Sequence, residues 1–310
     1  MEIPFFNYPR LYSDHKKNLL KIFDATASNG AFIMQSDLQD FENNLSEYVD
    51  AYVLGVGNAT DALELLFHAK EVKENEEIIF CSHTMVATAS AIKFAGAVPI
   101  PCEAGEDHLI DVDKIERLIT NKTRAIMPTQ LNGRVANMTA IKEIAEQYNL
   151  EIFEDSAQAL GARFNGQHAG TFGAGGCISF YPAKILGCLG DGGAVICNDY
   201  ETYEKVKLLR DHGRSESGEV EFWGFNSRLD NIQAAFMNYY FQFYEETISR
   251  RRNIAEIYFE NLQEVSEVHL PPSMDNSDNF DVFQNYEIQA KNRDELKEYL
   301  GENGVGTLIQ

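Results

Sequence analysis

The sequence predicts an α/β protein built on a mostly parallel β-sheet with helices on both of its faces. Short apolar runs rich in β-branched residues alternate along the chain with amphipathic segments of helical period. The runs are apolar almost throughout, which is typical of strands that are buried on both faces. Strands that alternate with helices favour parallel crossover units, so we expect most of the sheet to be parallel.

The elements can be assigned in order from this pattern. Predicted strands share the apolar character and lie at 51–56, 77–82, 97–102, 124–129, 150–155, 177–181 and 193–198. Between them, apolar residues at i, i+3 and i+4 predict helical segments at 60–70, 84–95, 111–119 and 138–148. Gly96 directly precedes a strand and is expected to end the second helical segment. The sequence thus predicts a seven-stranded sheet.

The pattern changes after about residue 229. A long aromatic-rich stretch, 229–262, predicts one helix that links two units or packs against a partner chain. Beyond it, 268–272 and 281–290 are predicted strands, and 292–304 a helix with a glycine stop. We therefore expect a large domain over 1–245 and the start of a small α+β domain over 246–310, incomplete at its end.

Composition narrows the class of function. The 310 residues carry a net charge of −22, which disfavours nucleic acid and anionic membranes as partners. No apolar run approaches the ~20 residues of a membrane span, and the N-terminus does not read as a signal peptide. The five cysteines have no C-x-x-C spacing, which predicts reduced thiols in a cytoplasmic protein without a zinc site. An anionic substrate would need local cations; Arg214 and Arg228 are candidates, with a structural ion pair the favoured role.

Three segments carry candidate chemistry, and the first is "GVGNATDALELL" at 55–66. A strand ends there, and a helix begins near Thr60. Free amides at a helix N-terminus, with a hydroxyl in the first turn, form an anion site. The alternative is an ordinary helix cap made by Thr60.

The second segment is "EIFEDSAQALGA" at 151–162. Asp155 lies where a strand is predicted to stop and a helix to start, and ligands of open α/β sheets bind outside the carboxyl ends of strands. The carboxylate could cap the helix or face a ligand cation. Gln158, three residues on, could line the same pocket.

The third segment is "SFYPAKILGCLGDGG" at 179–193. Ser179 ends a strand, and Lys184 follows in a loop of small and apolar residues. Desolvation there would lower the pKa of the amine and favour a neutral nucleophile, whereas a solvated turn is the alternative. Together the segments offer a phosphate site, a carboxylate for a ring nitrogen and a lysine for an aldehyde, which is what pyridoxal 5′-phosphate requires.

With these motifs the sequence resembles the DegT/DnrJ/EryC1/StrS group of nucleotide-sugar aminotransferases, within the aspartate aminotransferase-like (type I) fold of pyridoxal phosphate enzymes. The resemblance covers nearly the whole chain, including "GVGNATDAL", "SHTMVATASAIKFAGAVPI", "EDSAQALGA", "GTFGAGGCISFYPAKILGCLGDGGAV" and "GFNSRLDNIQAAF". The forms "SFYPAK…GDGG" and "NSRLD" are more similar to members that act on 3-keto sugars than to the 4-keto branch.

The resemblance implies a role for each matching residue. Lys184 would form the Schiff base with the cofactor and then shuttle the proton. Asp155 would pair with the pyridinium nitrogen, and Gln158 would contact the ring hydroxyl side. The phosphate would be held by Ala59, Thr60 and Ser179, and by Asn226 from the other subunit of a homodimer.

Three positions depart from the family pattern. Ala59 stands where glycine is common, Met85 where an aromatic usually stacks on the cofactor ring, and Ile185 where asparagine usually follows the lysine. A methionine can still pack on a ring face, and His83 could contribute there.

The resemblance implies a transaminase that passes an amino group from L-glutamate to a nucleotide-linked keto-sugar, such as a 3-keto-6-deoxyhexose, in amino-sugar biosynthesis for a surface polysaccharide or glycoside. A related sugar dehydratase is disfavoured, because that branch replaces the lysine that stands here as Lys184. The other alternative is a catalytically impaired relative with a regulatory or assembly role.

Overall fold

The computed structural model describes residues 2–274 and 278–310, and its centre is a seven-stranded sheet. The bounds of its strands lie within two residues of the prediction: β1 Tyr52–Val56, β2 Glu77–Cys81, β3 Val98–Cys102, β4 Thr123–Met127, β5 Glu151–Asp155, β8 Gly175–Ser179 and β9 Gly193–Cys197. Across the sheet the strands are ordered β1-β9-β8-β5-β4-β2-β3. The predicted α/β class with a mostly parallel sheet is confirmed.

One strand runs against the others. β9 pairs antiparallel with both β1 and β8, whereas the pairs β8–β5, β5–β4, β4–β2 and β2–β3 are parallel. The carboxyl ends of the parallel strands therefore meet at one edge, where ligand sites of open α/β sheets form.

Helices cover both faces of the sheet and bury two apolar cores. The helices of the described residues are α1 Tyr8–Ser28, α2 Ser36–Val49, α3 Ala59–Ala69, α4 Val86–Phe94, α5 Met138–Tyr148, α6 Tyr200–Leu209, α7 Asn231–Phe241, α8 Tyr244–Leu262 and α9 Arg293–Glu302. One core receives apolar residues of α3, α4 and α6, and the other those of α2, α5, α7 and α8. The sequence pattern did not predict α1 and α2.

The predicted helix at 111–119 is wrong. This segment forms two short 3-10 helices, Val112–Lys114 and Glu116–Leu118, closed by bonds from Lys114 N–H to Asp111 O and from Leu118 N–H to Ile115 O. The Asp111 carboxylate also accepts from the Asp113 amide, and Ile115 is fully buried between the two turns. Side-chain capping and the burial of one residue favour tight turns over a continuous helix.

Two further helical predictions are wrong. The stretch 229–262 is divided into α7 and α8 at Phe243, whose N–H bonds only three residues back to Tyr240 and whose ring packs on His15 of α1. No helix follows Asp155: the chain turns there through bonds from Ala159 N–H to Ser156 O and from Ala162 N–H to Ala159 O. Packing of one aromatic ring and a run of tight turns override the local helical pattern.

The chain after α8 contains short strands. The remaining strands are β6 Arg163–Phe164, β7 Gln167–His168, β10 Val268–His269, β11 Asn279–Phe280 and β12 Gln289–Ala290. β10 pairs with β12, and β11 joins the β6–β7 hairpin. The predicted strand at 281–290 is thus formed only at its end. The proposed domain boundary at residue 245 stays a prediction.

All five cysteines are buried and free. Within the described ranges, none of the helices combines the length and apolar character needed to cross a bilayer.

Candidate active site

Two neighbouring parallel strands bring candidate residues to one edge of the sheet. β5 ends at Asp155, which lies in register with Cys177 of β8. β8 ends two residues later at Ser179, and Lys184 follows in the loop that leads to β9. The structure thus places Asp155, Ser179 and Lys184 at the carboxyl ends of adjacent strands, where the sequence predicts a ligand site.

The Lys184 loop is held by its backbone. The Lys184 N–H donates to Tyr181 O at 2.8 Å, and Cys188 N–H donates to Phe180 O at 2.8 Å. A Cβ at Gly187 would lie 2.7 Å from Pro182 O, so this close turn requires glycine. The loop is therefore a turn of defined backbone conformation.

The Lys184 amine is half-buried and has no hydrogen bond or ion pair within 2–274 and 278–310. Burial lowers its pKa below the usual value of 10.5, while the nearby Asp155 carboxylate and Cys177 oppose that shift. A half-buried amine without a partner loses its proton at lower pH than a solvated one, and the neutral amine is the nucleophilic form.

The Asp155 carboxylate is buried, with 5% of the residue exposed. Its Oδ2 accepts from the Thr88 hydroxyl at 2.5 Å, and its Oδ1 accepts from Ala157 N–H at 3.2 Å and from Cys177 Sγ at 3.4 Å. Burial raises the pKa of the Cys177 thiol, as does the neighbouring carboxylate, so the thiol stays protonated and donates. Asp155 is fixed as an acceptor and does not cap a helix.

The predicted anion site is at the start of α3. Asn58 is the N-cap, and its Oδ1 accepts from Asp61 N–H at 2.9 Å. The alternative role of Thr60 as the cap is therefore wrong: Thr60 lies inside the first turn, and its hydroxyl has no hydrogen bond in the described part of the chain. The hydroxyl and the free amides of this turn are available to an anion.

Ser179 is brought to this helix terminus by Gly193. The two residues are partners in the β8–β9 ladder. A Cβ on Gly193 would lie 2.5 Å from the carbonyl carbon of Asn58 and 2.6 Å from the nitrogen of Ala59. The absence of a side chain therefore lets the strand lie directly against the helix that carries Ala59 and Thr60, next to Ser179.

Gln158 is joined to a residue that sequence reasoning missed. Its Oε1 accepts from Asn132 N–H at 2.8 Å, where Asn132 has a left-handed φ of 58°. The amide nitrogen of Gln158 has no hydrogen bond among the described residues and is available to a ligand.

A second missed residue holds the lysine loop. Gln284 is 6% exposed; its Oε1 accepts from Ile185 N–H at 3.0 Å and its Nε2 donates to Ala183 O at 2.9 Å. It therefore bonds to the backbone on both sides of Lys184. Gln284 lies about a hundred residues away in sequence, and no local pattern indicates this contact.

The remaining predicted residues are Met85, Asn226 and the two arginines. Met85 is the N-cap residue of α4 and is 68% exposed, so its side chain is free to contact a ligand. Asn226 is exposed and pairs as an isolated bridge with Asp211. Arg214 and Arg228 both bind Asp211, at 2.8 and 2.6 Å, which confirms the structural ion pair favoured for them.

The donor set fits pyridoxal phosphate. A half-buried, unpaired amine lies within electrostatic range of a buried carboxylate, and a helix N-terminus with a free hydroxyl lies next to the strand that precedes the lysine. These groups match an aldehyde, a protonated ring nitrogen and a phosphate.

Comparison with known proteins gives a family match. The sequence matches the DegT/DnrJ/EryC1/StrS aminotransferase family over residues 13–310. It is 37% identical over 309 residues to the dTDP-3-amino-3,6-dideoxy-α-D-galactopyranose transaminase of Aneurinibacillus thermoaerophilus, with 99% of this chain and 84% of that protein covered. It is 33% identical over 308 residues to the dTDP-3-amino-3,4,6-trideoxy-α-D-glucose transaminase of Streptomyces venezuelae, with 99% and 81% covered.

Solved structures share the fold. DesV of S. venezuelae, in complex with a ketimine intermediate, superposes with a TM-score of 0.95 at 33% identity, covering 99% of this chain and 83% of that chain. NtdA of Bacillus subtilis, with the bound cofactor PMP, gives a TM-score of 0.90 at 28% identity, covering 99% and 72%.

Proposed function

The chain belongs to the DegT/DnrJ/EryC1/StrS aminotransferase family, and from this premise we propose that it uses pyridoxal 5′-phosphate to transfer an amino group from L-glutamate to carbon 3 of a nucleotide-linked keto-sugar. That it is an aminotransferase follows from the family and from named transaminases about a third identical over nearly the whole chain. The cofactor, the donor and the sugar are the proposed part.

The observation that carries the proposal is an unpaired Lys184 amine within electrostatic range of the buried Asp155 carboxylate. The amine has a pKa lowered by burial and no partner among the described residues, and the carboxylate of Asp155 contributes to its electrostatic environment. When bound, the cofactor supplies the electron sink that makes the carbon next to the amino group acidic. Lys184 Nζ would bind the cofactor aldehyde. It would then carry the proton between the substrate carbon that bears the amino group and the aldehyde carbon of the cofactor.

The other residues of the site would bind and orient the cofactor. Asp155, held by Thr88, would accept from the ring nitrogen and keep it protonated. The amides of Ala59 and Thr60, with the hydroxyls of Thr60 and Ser179, would bind the phosphate. Gln158 retains a free amide for the ring hydroxyl.

A homodimer is part of the proposal. Asn226 is exposed and is proposed to reach the phosphate of the second copy's site. The sugar is proposed as a 3-keto-6-deoxyhexose linked to a nucleoside diphosphate, because both relatives described above are named for 3-amino deoxysugars.

The experiment combines a spectrum with a mass measurement. Purified protein is incubated with pyridoxal phosphate, its absorbance is recorded, and it is then reduced with sodium borohydride. We expect a covalent adduct on the peptide that contains Lys184, absent from Lys184→Ala and kept in Lys205→Ala, because Lys205 is bound by Glu71 and Glu201. No adduct with wild-type protein would contradict the proposal and favour a relative without catalytic activity.

A second assay tests the substrates. The loaded protein is incubated with L-glutamate and a panel of 3-keto and 4-keto nucleotide sugars, and 2-oxoglutarate is measured. Formation with 3-keto sugars alone supports the proposed position, and formation with 4-keto sugars alone contradicts it.

A further inference from the structure

Two histidines and a glutamate converge next to the candidate active site. His83 follows β2, His108 lies in the loop after β3, and Glu287 precedes β12. Their ligand atoms all lie within 4.8 Å of one another, and we call these three residues the His–His–Glu cluster. His83 Nε2 lies 3.1 Å from Glu287 Oε1, and His108 Nδ1 lies 2.7 Å from Glu287 Oε2.

The cluster is partly buried, and hydrogen bonds orient two of its members. The side chains of His83, His108 and Glu287 are 31%, 13% and 15% exposed. Asn132 Nδ2 donates to Glu287 Oε2 at 2.5 Å, and the Gln289 amide lies 2.5 Å from His108 Nε2. Outer contacts of this kind fix the rings and the carboxylate of metal sites.

We infer that the His–His–Glu cluster binds a divalent transition-metal ion of the zinc class. Imidazole nitrogen with a carboxylate suits zinc, cobalt or nickel, whereas magnesium and calcium prefer oxygen ligands alone. Three protein ligands leave a fourth position open to water or substrate. The net charge of −22 on the chain favours cation binding at a half-buried site.

The hydrogen-bonding partners are compatible with metal binding. Coordination through His108 Nδ1 requires the proton on Nε2, which then donates to the oxygen of the Gln289 amide. The two ends of an amide are interchangeable by rotation, so Gln289 serves either tautomer. Neutral imidazoles and an ionised Glu287 neutralise half of the ion's charge.

The ion would connect separate parts of the molecule. His83 and His108 lie at the sheet edge, whereas Glu287 lies on the same irregular segment as Gln284, which binds both sides of Lys184. An ion bound only by the folded chain stabilises that fold by mass action. The alternative is a set of direct hydrogen bonds from the two imidazole rings to Glu287 with no metal, and the test separates the two.

The test uses the full chain, loaded with pyridoxal phosphate and freed of metal by a chelator. Zn²⁺ and Co²⁺ are added separately; bound metal is counted after gel filtration, and the visible spectrum of the Co²⁺ form is recorded. We expect one ion per chain, a Co²⁺ band at longer wavelength than the cofactor band, and an upward shift of Tm. The same titration of cofactor-free protein excludes metal binding by the cofactor itself. The result can therefore be interpreted even if the protein does not have the proposed function.

Variants of the cluster and a matched control test whether these residues bind the metal. Glu287→Gln and His108→Gln should each weaken metal binding at least tenfold, whereas His269→Gln, an exposed histidine on β10, should leave it unchanged. The melting curve of each metal-free variant shows whether it folds. If the cluster variants do not fold, the wild-type Co²⁺ band decides. Absence of that band, or equal binding by folded wild type and Glu287→Gln, would overturn the inference.

Discussion

Thr88 and Asp155 are joined by a hydrogen bond of 2.5 Å from the threonine hydroxyl to the carboxylate Oδ2. Both residues are buried. The bond belongs to a chain of hydroxyls, because Thr84 Oγ1 lies 2.7 Å from Thr88 Oγ1 and Thr129 Oγ1 donates to Thr84 at 3.1 Å. The orientation of the candidate catalytic carboxylate therefore depends on α4 and on the chain after β4.

Thr88→Val removes this hydroxyl with little change of volume. Asp155 then loses a donor in a buried position, and we expect a loss of about 1–3 kcal/mol in the free energy of unfolding. Affinity for pyridoxal phosphate should fall as well, since the carboxylate is less well oriented. Urea unfolding and a cofactor titration measure both. Thr120→Val is the control, because its bond to Glu77 is exposed; an equal loss in the two variants would contradict the argument.

Gly193→Ala tests the contact between β9 and the start of α3. The added Cβ would lie 2.5 Å from the carbonyl carbon of Asn58, so strand and helix must separate. We expect lower stability and an increase of about tenfold or more in the dissociation constant of the cofactor, which equals about 1.4 kcal/mol. Gly301→Ala in α9 has open space and should instead gain about 0.5–1 kcal/mol. Unchanged cofactor affinity in Gly193→Ala would place the phosphate elsewhere.

Much of the sheet and part of the site could be predicted from the sequence, because their signals are local. Apolar runs locate strands, and their ends locate Asp155 and Ser179. The helix predicted after Asp155 does not form, and Gly161 at the end of that segment has a φ of 85°, outside the helical region, at a place where a Cβ would lie 2.8 Å from the side chains of Ile248 and Tyr48. The local pattern contains no information on those distant neighbours.

The supporting residues could not be predicted for the same reason. Gln284 and Glu287 come from a segment read as a strand, but its backbone bonds to Asn132 and Gly133 and only its end is a strand. Thr88 lies in the first turn of α4, and Thr84, whose hydroxyl it contacts, precedes that helix. Its partner at the end of β5 is set by the order of the strands alone.

The lowered pKa of Lys184 predicts a particular pH dependence of labelling. In cofactor-free protein, a small acylating reagent should modify Lys184 at lower pH than Lys205, whose pKa is raised by hydrogen bonds to Glu201 and Glu71. Mass spectrometry of the peptides that contain Lys184 and Lys205 gives the extent of labelling of each lysine as a function of pH. Labelling of Lys205 at the lower pH would contradict the assignment of Lys184 as the neutral nucleophile.

The same shift predicts a pH dependence of stability. The pKa of Lys184 in the folded chain is below its unfolded value near 10.5. At a pH between these two pKa values the unfolded chain binds more protons than the folded chain, so the free energy of unfolding rises with pH in that window. Lys184→Met should therefore stabilise the cofactor-free protein at neutral pH, and the gain should shrink as the pH approaches 10.5. Denaturant unfolding at several pH values measures this, with Lys205→Met as the control, because Lys205 is paired with Glu71 and Glu201. An increase with pH in the stability gained by Lys184→Met would contradict the prediction.

Gln284→Met tests whether the segment after α8 positions Lys184, the candidate catalytic lysine. Methionine fills a similar volume but leaves Ile185 N–H and Ala183 O without their partners, so the turn that presents Lys184 is less well fixed. We expect kcat to fall about tenfold, equal to about 1.4 kcal/mol, with a smaller change in KM for the amino donor. The borohydride-trapped adduct at Lys184 should also form more slowly, a readout that a general loss of stability does not move while the variant stays folded. Gln263→Met, where an exposed amide bonds to Glu260 O at 3.4 Å, is the control. If both variants keep the wild-type kcat and trapping rate, Gln284 has no role in positioning the lysine.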